Sequence, residues 1–366
     1  MADFDVIVVG LGAWGSAALY HLAQNGHCVL GIDRLAPPHN RGSHHGNGRV
    51  IRMASPESPQ YTPLMERSYS LWAELERERG SPLITEAGGL YVGPSDHDFV
   101  AGALASYSGT TIAHEVLSPM ESAARFPWLT VHDGETVVYE PGAGVIEPEQ
   151  CIRAYLKGAV AAGAAVRINE PMIGWIADRD GVTISLKSGT LRARRAIFCM
   201  GSWSPDHLRL ALPLAVERQV VVVYDASAIG ELAIFTAPAE EAECIYGLPE
   251  AGGTYKVALH HGGVIGHPDS LSAVPSERDL YLIEKYVRRR LPQMPRSPMS
   301  AAVCRYTNTP DHHFVIGIHP QHPAVTIATG CSGRGYKFSA VIGEILADLC
   351  DGRSRHDIAL FSPTRF

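Results

Sequence analysis

The sequence predicts an α/β fold: a Rossmann-like dinucleotide-binding domain interleaved with an α+β domain built on a largely antiparallel sheet. Three observations predict it. The chain opens with a strand, a glycine-rich turn, a helix and a second strand in "DVIVVGLGAWGSAALYHLAQNGHCVLGIDR". Further strand and helix pieces of that kind return in the middle of the chain and at its C-terminal end. Between them lie alternating, β-rich segments broken by glycine and proline. With 366 residues, of which 46% are hydrophobic, the chain is long enough for two domains.

The first strand runs over Val6 to Val9 and leads into Gly10, Gly12 and Gly15. Glycines at this spacing tighten the turn, let backbone approach a pyrophosphate and let the helix pack on the strand. The phosphate then meets the open amides of the helix N-terminus. Leu19 and Leu22 share one helix face, and the second strand, Val29 to Ile32, ends at Asp33. A carboxylate there accepts hydrogen bonds from ribose hydroxyls and repels a 2′-phosphate. This pattern does not separate FAD from NAD. The segment after Asp33 favours FAD: "RLAPPHNRGSHHGNGRVIRMA" is a Pro/Gly/His-rich loop carrying Arg49 and Arg52, where a compact NAD domain would continue into a crossover helix. The remaining pieces of the first domain are "EPEQCIRAYLKGAVAAGAAVRIN" (helix, strand), "LRARRAIFCMGSWSP" (strand, turn) and "AVTIATGCSGRGYKFSAVIGEILADL" (strand, Gly-rich loop, helix). Val220 to Val223 and "TYKVALHH" read as strands of the second domain. In the latter, Lys256, Ala258 and His260 share one face, with Lys256 and His260 about 13 Å apart and expected to line different parts of one cavity.

A formal charge of −7 and a pI near 6.2 argue against nucleic acid or an anionic membrane as partner. A small-molecule ligand is expected. The N-terminal residues lack the basic, apolar and small-residue succession of a signal peptide, so a cytoplasmic protein is expected. Seven scattered cysteines without a CxxC pair indicate neither a disulfide framework nor a zinc site. The paired histidines, His44 with His45, His260 with His261 and His312 with His313, lack the spacing of a metal motif, and no metal is expected.

Four segments resemble a known family: "GSHHGNGRVIR" (42–52), "YKVALH" (255–260), "AVCRYTNTPDHHFVI" (302–316) and "GCSGRGYKFS" (330–339). They are similar to the matching parts of the monomeric sarcosine oxidase family, which includes N-methyltryptophan oxidase, in the same order over nearly the whole chain. The resemblance implies an FAD-binding domain over 1–80, 141–212 and 319–366 and a substrate domain over 81–140 and 213–318. It implies FAD bound covalently through a cysteine thioether, which falls on Cys304, with Gly10, Gly12, Gly15, Asp33, Ser43, Gly330, Gly333, Gly335 and Lys337 also facing the cofactor. A basic neighbour favours thiol ionisation, and Arg305 is adjacent in sequence. Lys256 matches the lysine that serves the oxygen step. His260 matches a histidine near the substrate amine, Arg49 and His45 residues beside the flavin, and Tyr306 and Tyr246 aromatics of the pocket.

Arg52 and Lys337 match a carboxylate clamp, for which a planar fork and a point charge are suited. The implied reaction is oxidation of a secondary amino acid, N-methyl or cyclic, to an imine. Oxygen is reduced to hydrogen peroxide, and the imine hydrolyses to an aldehyde or keto acid plus amine. A monomer is expected. The alternatives are an oxidase of a biosynthetic cyclic imino acid, pipecolate- or proline-like, and an NAD-dependent dehydrogenase. Three positions depart from the family pattern: Gly48 where threonine is usual, Arg305 for an apolar residue and Arg334 for a common histidine. They bear on the choice of substrate.

Overall fold

The computed structural model describes residues 2–230 and 232–366. Two large sheets and one small one carry the chain, with strands from distant parts of the sequence side by side.

In the first sheet the strand Phe4–Val9 lies parallel to Gly189–Phe198 on one side and Val29–Ile32 on the other, and Ala165–Arg167 extends the second side. Its apolar run is buried on both faces, as a central parallel strand requires. Val6 and Val8 pack into a core with the helices Ala13–Gln24, Thr62–Arg79, Pro148–Ala161 and Ser339–Cys350. Ile7 and Val9 face a second core with Trp175, Ile184 and Phe198. The strand His322–Thr329 joins in parallel with Gly189–Phe198 and pairs with Val315–His319. The latter strand therefore lies in this sheet, although it precedes the expected boundary at residue 319.

The second sheet has nine strands, and every pairing but that of Ile234–Pro238 with Gly89–Pro94 is antiparallel. Its two faces have different jobs, set by the period-two alternation of side chains. Val220, Val222, Tyr224, Tyr255, Val257, Leu259 and Phe235 form an apolar core with Ile283, Tyr286 and Val287 of the helix Glu277–Arg290. Register places the opposite residues together on the other face: Gln219 beside Cys304, Glu217 beside Tyr306, Lys256 beside Leu248 and Val223, Cys244 beside His260. That face shares a cavity with the glycine-rich loops at the ends of the first sheet's strands, Gly10 and Gly12 among them. A third sheet, Arg49–Ile51 with Gly144–Ile146 and Ile84–Glu86, stands near the junction. No helix among the described residues is long and apolar enough to cross a membrane.

Candidate active site

One cavity runs between the two large sheets. At one end its lining includes Gly10, Gly12, Ile32, Asp33 and Arg34; at the other, Arg52, Thr236, Tyr246, His260, Cys304, Tyr306 and Lys337.

The first end is built from backbone. Gly10 has φ +89°, and a Cβ there would stand 2.4 Å from the Cys199 carbonyl oxygen, so only glycine makes this turn. The helix Ala13–Gln24 begins at Gly12 with no side chain capping its first amides. Uncapped amides opening on a cavity fit a phosphate. Asp33 accepts hydrogen bonds from the Leu11 and Leu35 amides at 2.7 and 2.9 Å, which fixes its carboxylate at the strand's end. These residues fit the dinucleotide expected there; Gly15 stands behind the lining, where its Cβ would overlap the Gly10 carbonyl.

Cys304 is buried on the strand Ser300–Asn308 and faces the cavity. Arg305 points elsewhere. Its guanidinium donates to the carbonyls of Pro268 and Arg41 at 3.1 and 3.2 Å, on the opposite side of the strand from the Cys304 side chain. Ser43 donates to the Arg305 carbonyl. Arg49, lining the cavity, is held by the carbonyls of Ser43, His45 and Gly48. His45 lies outside the lining and donates from Nε2 to the Val303 carbonyl at 3.0 Å; burial and then Arg49 push it down to about 4.

The expectation that Lys256 and His260 line one cavity holds for His260 alone. The Lys256 ammonium is buried. It donates to the Gly48 carbonyl and forms an ion pair with Glu250 at 2.7 Å across the hairpin. Burial, then repulsion from Arg49, push it down to about 8, and Glu250 opposes that fall. A threonine at position 48 would need its neighbours to shift, since a Cβ there would stand 2.7 Å from Val145 Cγ1 and 3.0 Å from Leu248 Cδ1.

Arg52 donates to the Thr236 hydroxyl at 3.0 Å, with its guanidinium 4.5 Å from the Tyr91 ring centre. Lys337 donates to Ser55 Oγ and the Ala54 carbonyl at 3.2 and 3.3 Å. Burial and then Arg52 push Lys337 down to about 7. The two basic groups lie close enough to repel each other, and Glu57 and Glu140 act on both. His260 Nδ1 lies 3.2 Å from the Tyr306 hydroxyl, and Tyr246 packs edge-on against the His260 ring. Burial, then His261 and Arg334, hold His260 well below its ordinary value, so its imidazole is neutral. Gly330, Gly333 and Gly335 line the cavity ahead of the helix Ser339–Cys350.

Two carboxylates of the site carry no signal in the sequence. Glu57 and Glu243 line the cavity and both pair with Arg334, Glu57 through Nε at 2.6 Å. Burial would raise Glu57, but Arg334, Lys337 and Arg52 together hold it below the usual carboxylate range. Nothing in "SPESPQ" or "EEAEC" marks these acids, since their partner lies far along the chain. Glu243, His260 and His261 also bring three possible ligand atoms within 4.8 Å of one another.

The FAD dependent oxidoreductase family matches residues 5–349. A monomeric sarcosine oxidase from Streptomyces avermitilis is 40% identical over 374 residues, covering 99% of this chain and 97% of that protein. An N-methyl-L-tryptophan oxidase from Escherichia coli is 34% identical over 371 residues, covering 99% of both. Among solved structures, the open form of NikD, an unusual amino acid oxidase essential for nikkomycin biosynthesis, superimposes with a TM-score of 0.89 over 99% of this chain and 98% of its own, at 24% identity. Glycine oxidase from Geobacillus kaustophilus gives 0.83 over 99% of each chain, at 20% identity.

Proposed function

We infer the reaction from one premise, that the chain belongs to the FAD-dependent oxidoreductase family: it is a flavin-dependent oxidase of a secondary amino acid, N-methyl or cyclic. The observation that carries this reading is the meeting, in one cavity, of the Gly10–Asp33 turn, the Cys304 thiol and the Arg52–Lys337 pair. FAD, when bound, accepts the electrons of the amine and delivers them to oxygen, giving hydrogen peroxide and an imine that water hydrolyses.

The protein's own residues do the rest. Arg52 and Lys337 hold the substrate carboxylate. Glu57 and Glu140 act on both cations, so the pair's positive charge is already partly balanced, and an amine that binds uncharged adds no further charge to be offset. Neutral His260 offers the amine a hydrogen-bond acceptor without adding repulsion, and Tyr306 and Tyr246 fix its ring. Lys256, with Arg49 beside it, supplies the buried positive charge for the oxygen step and is held in place by Glu250, while His45, a neutral ring, braces that side through the Val303 carbonyl. Gly10, Gly12, Gly15, Asp33 and Ser43 hold the nucleotide side of the cofactor. Gly330, Gly333 and Gly335 let backbone approach its ring.

Cys304 carries the thioether to the flavin in this proposal, with Arg49 and Lys256 as the basic groups of its surroundings. The division into an FAD-binding domain (1–80, 141–212 and 319–366) and a substrate domain (81–140 and 213–318) belongs to the same reading, as do a monomeric state and a cytoplasmic location. The test is acid precipitation of the purified yellow protein, in wild type and in Cys304→Ala. Flavin absorbance retained in the wild-type pellet and released from the variant is expected. Release from both refutes the linkage, and absence of peroxide formation across a panel of N-methyl and cyclic amino acids refutes the reaction.

A further inference from the structure

We propose that Glu243, His260 and His261 form a binding site for a divalent transition-metal ion of the zinc type at the edge of the substrate cavity. Occupation of this site would block the substrate amine.

Consecutive strand residues face opposite ways, yet His261 does not. Its φ of +65° turns the ring back beside that of His260, with centroids 4.3 Å apart. Buried Glu217 then fixes the tautomer. Its Oε2 lies 2.9 Å from His261 Nδ1, and since a carboxylate only accepts, Nδ1 carries the proton. Glu217 is itself anchored by the Gly263 amide and the Asn308 side chain. With Nδ1 committed to Glu217, His261 Nε2 is the ring's remaining polar atom, buried and without a hydrogen-bond partner. It faces Glu243 Oε2 at 3.5 Å. A ring nitrogen and a carboxylate oxygen facing each other need a positive charge between them, a proton or a metal ion.

His260 Nε2 lies 3.9 Å from the same carboxylate oxygen. Ligands of a tetrahedral zinc, bonded at about 2.0–2.1 Å, stand about 3.4 Å apart. Glu243, its side chain 39% exposed, is held by Arg334 through Oε1 and presents Oε2 to both rings. The carboxylate behind His261 is the usual outer partner of a metal-bound imidazole. Two imidazoles and a carboxylate leave a fourth position open. Arg334 and Arg52 oppose a cation here, while Glu217 and Glu243, the carboxylates that face the two rings, favour it.

The binding half of the proposal stands apart from the oxidase reading; the inhibition rests on it. Chelator-treated, flavin-loaded protein is titrated with zinc chloride in a calorimeter near neutral pH. One equivalent is expected to bind in wild type, and at least tenfold more weakly in His261→Gln and in Glu243→Gln, both checked for an unchanged melting temperature. With a secondary amino acid as substrate, zinc is expected to raise the apparent KM of wild type and leave kcat unchanged. Wild-type protein that takes up no zinc, or variants that bind it as tightly, overturn the site and leave the gap to a proton. Zinc that binds as described without changing KM overturns the block alone. The calorimetry needs no turnover, so a failed oxidase reading leaves it intact.

Discussion

Replacing Arg334 by alanine should damage substrate binding through a residue that never touches the clamp. The side chains of Arg334 and Glu57 are only 14% and 16% exposed, so their contact at 2.6 Å is shielded from water. Without the guanidinium, Glu57 keeps its charge because Lys337 and Arg52 also act on it. It turns to them and competes with the substrate carboxylate for the same two cations. Two unit charges about 4 Å apart at an effective dielectric of about 20 attract by about 4 kcal/mol. If half survives rearrangement, the loss is about 2 kcal/mol, a rise of about thirtyfold in KM. Steady-state peroxide production with an N-methyl amino acid measures it, and kcat at saturation should stay within about twofold. The double variant Arg334→Ala, Glu57→Gln removes the competitor and should recover most of the lost KM. A double variant no better than the single, or a loss confined to kcat, would refute the competition argument and leave Arg334 a purely structural strut.

Lys256 gives a pH dependence. Its ammonium is present below about 8 and lost above it, so reoxidation of the reduced enzyme by oxygen, followed by stopped flow without substrate, should slow as pH rises through that value. Lys256→Met should be slow and flat across the range, and Glu250→Gln should move the midpoint down because the carboxylate raises the lysine's value; a wild-type rate that climbs above about pH 8 would contradict the assignment. Gly333→Ala should cost stability in two ways. Its φ of +71° strains an alanine by about 1–2 kcal/mol. Its Cβ would also meet Tyr306 Cε2 at 2.4 Å and His260 Cε1 at 2.6 Å, adding about 1–3 kcal/mol of overpacking. Chemical denaturation should show the sum, and an unchanged midpoint would rule out the close packing.

The sequence carries what local pattern can carry. The turn at Gly10, the strand ending at Asp33 and the strand Thr254–His260 follow from glycine placement and alternation, and the structure has each within a residue or two. Alternation also puts Lys256 and His260 on one face, correctly, but a face is only half a contact. Lys256 meets Glu250 instead of the cavity, because antiparallel register sets Leu248 opposite Lys256 and folds the hairpin back on it. His261 inverts the lesson: one positive φ, which no residue pattern announces, brings it to the face that alternation denies it. The charge balance of the site is the least legible part. It depends on Arg52 and Glu57 from one loop, Glu243 from the start of a strand and Arg334 and Lys337 from a turn some ninety residues further on. Only the meeting of two sheets brings these together. Since Arg334 stands where the resembling family commonly has histidine, that balance is where this chain's choice of substrate should differ from its relatives'. If Arg52 and Lys337 take the carboxylate as proposed, the Glu57–Arg334–Glu243 cluster beside them decides what else the substrate is allowed to carry.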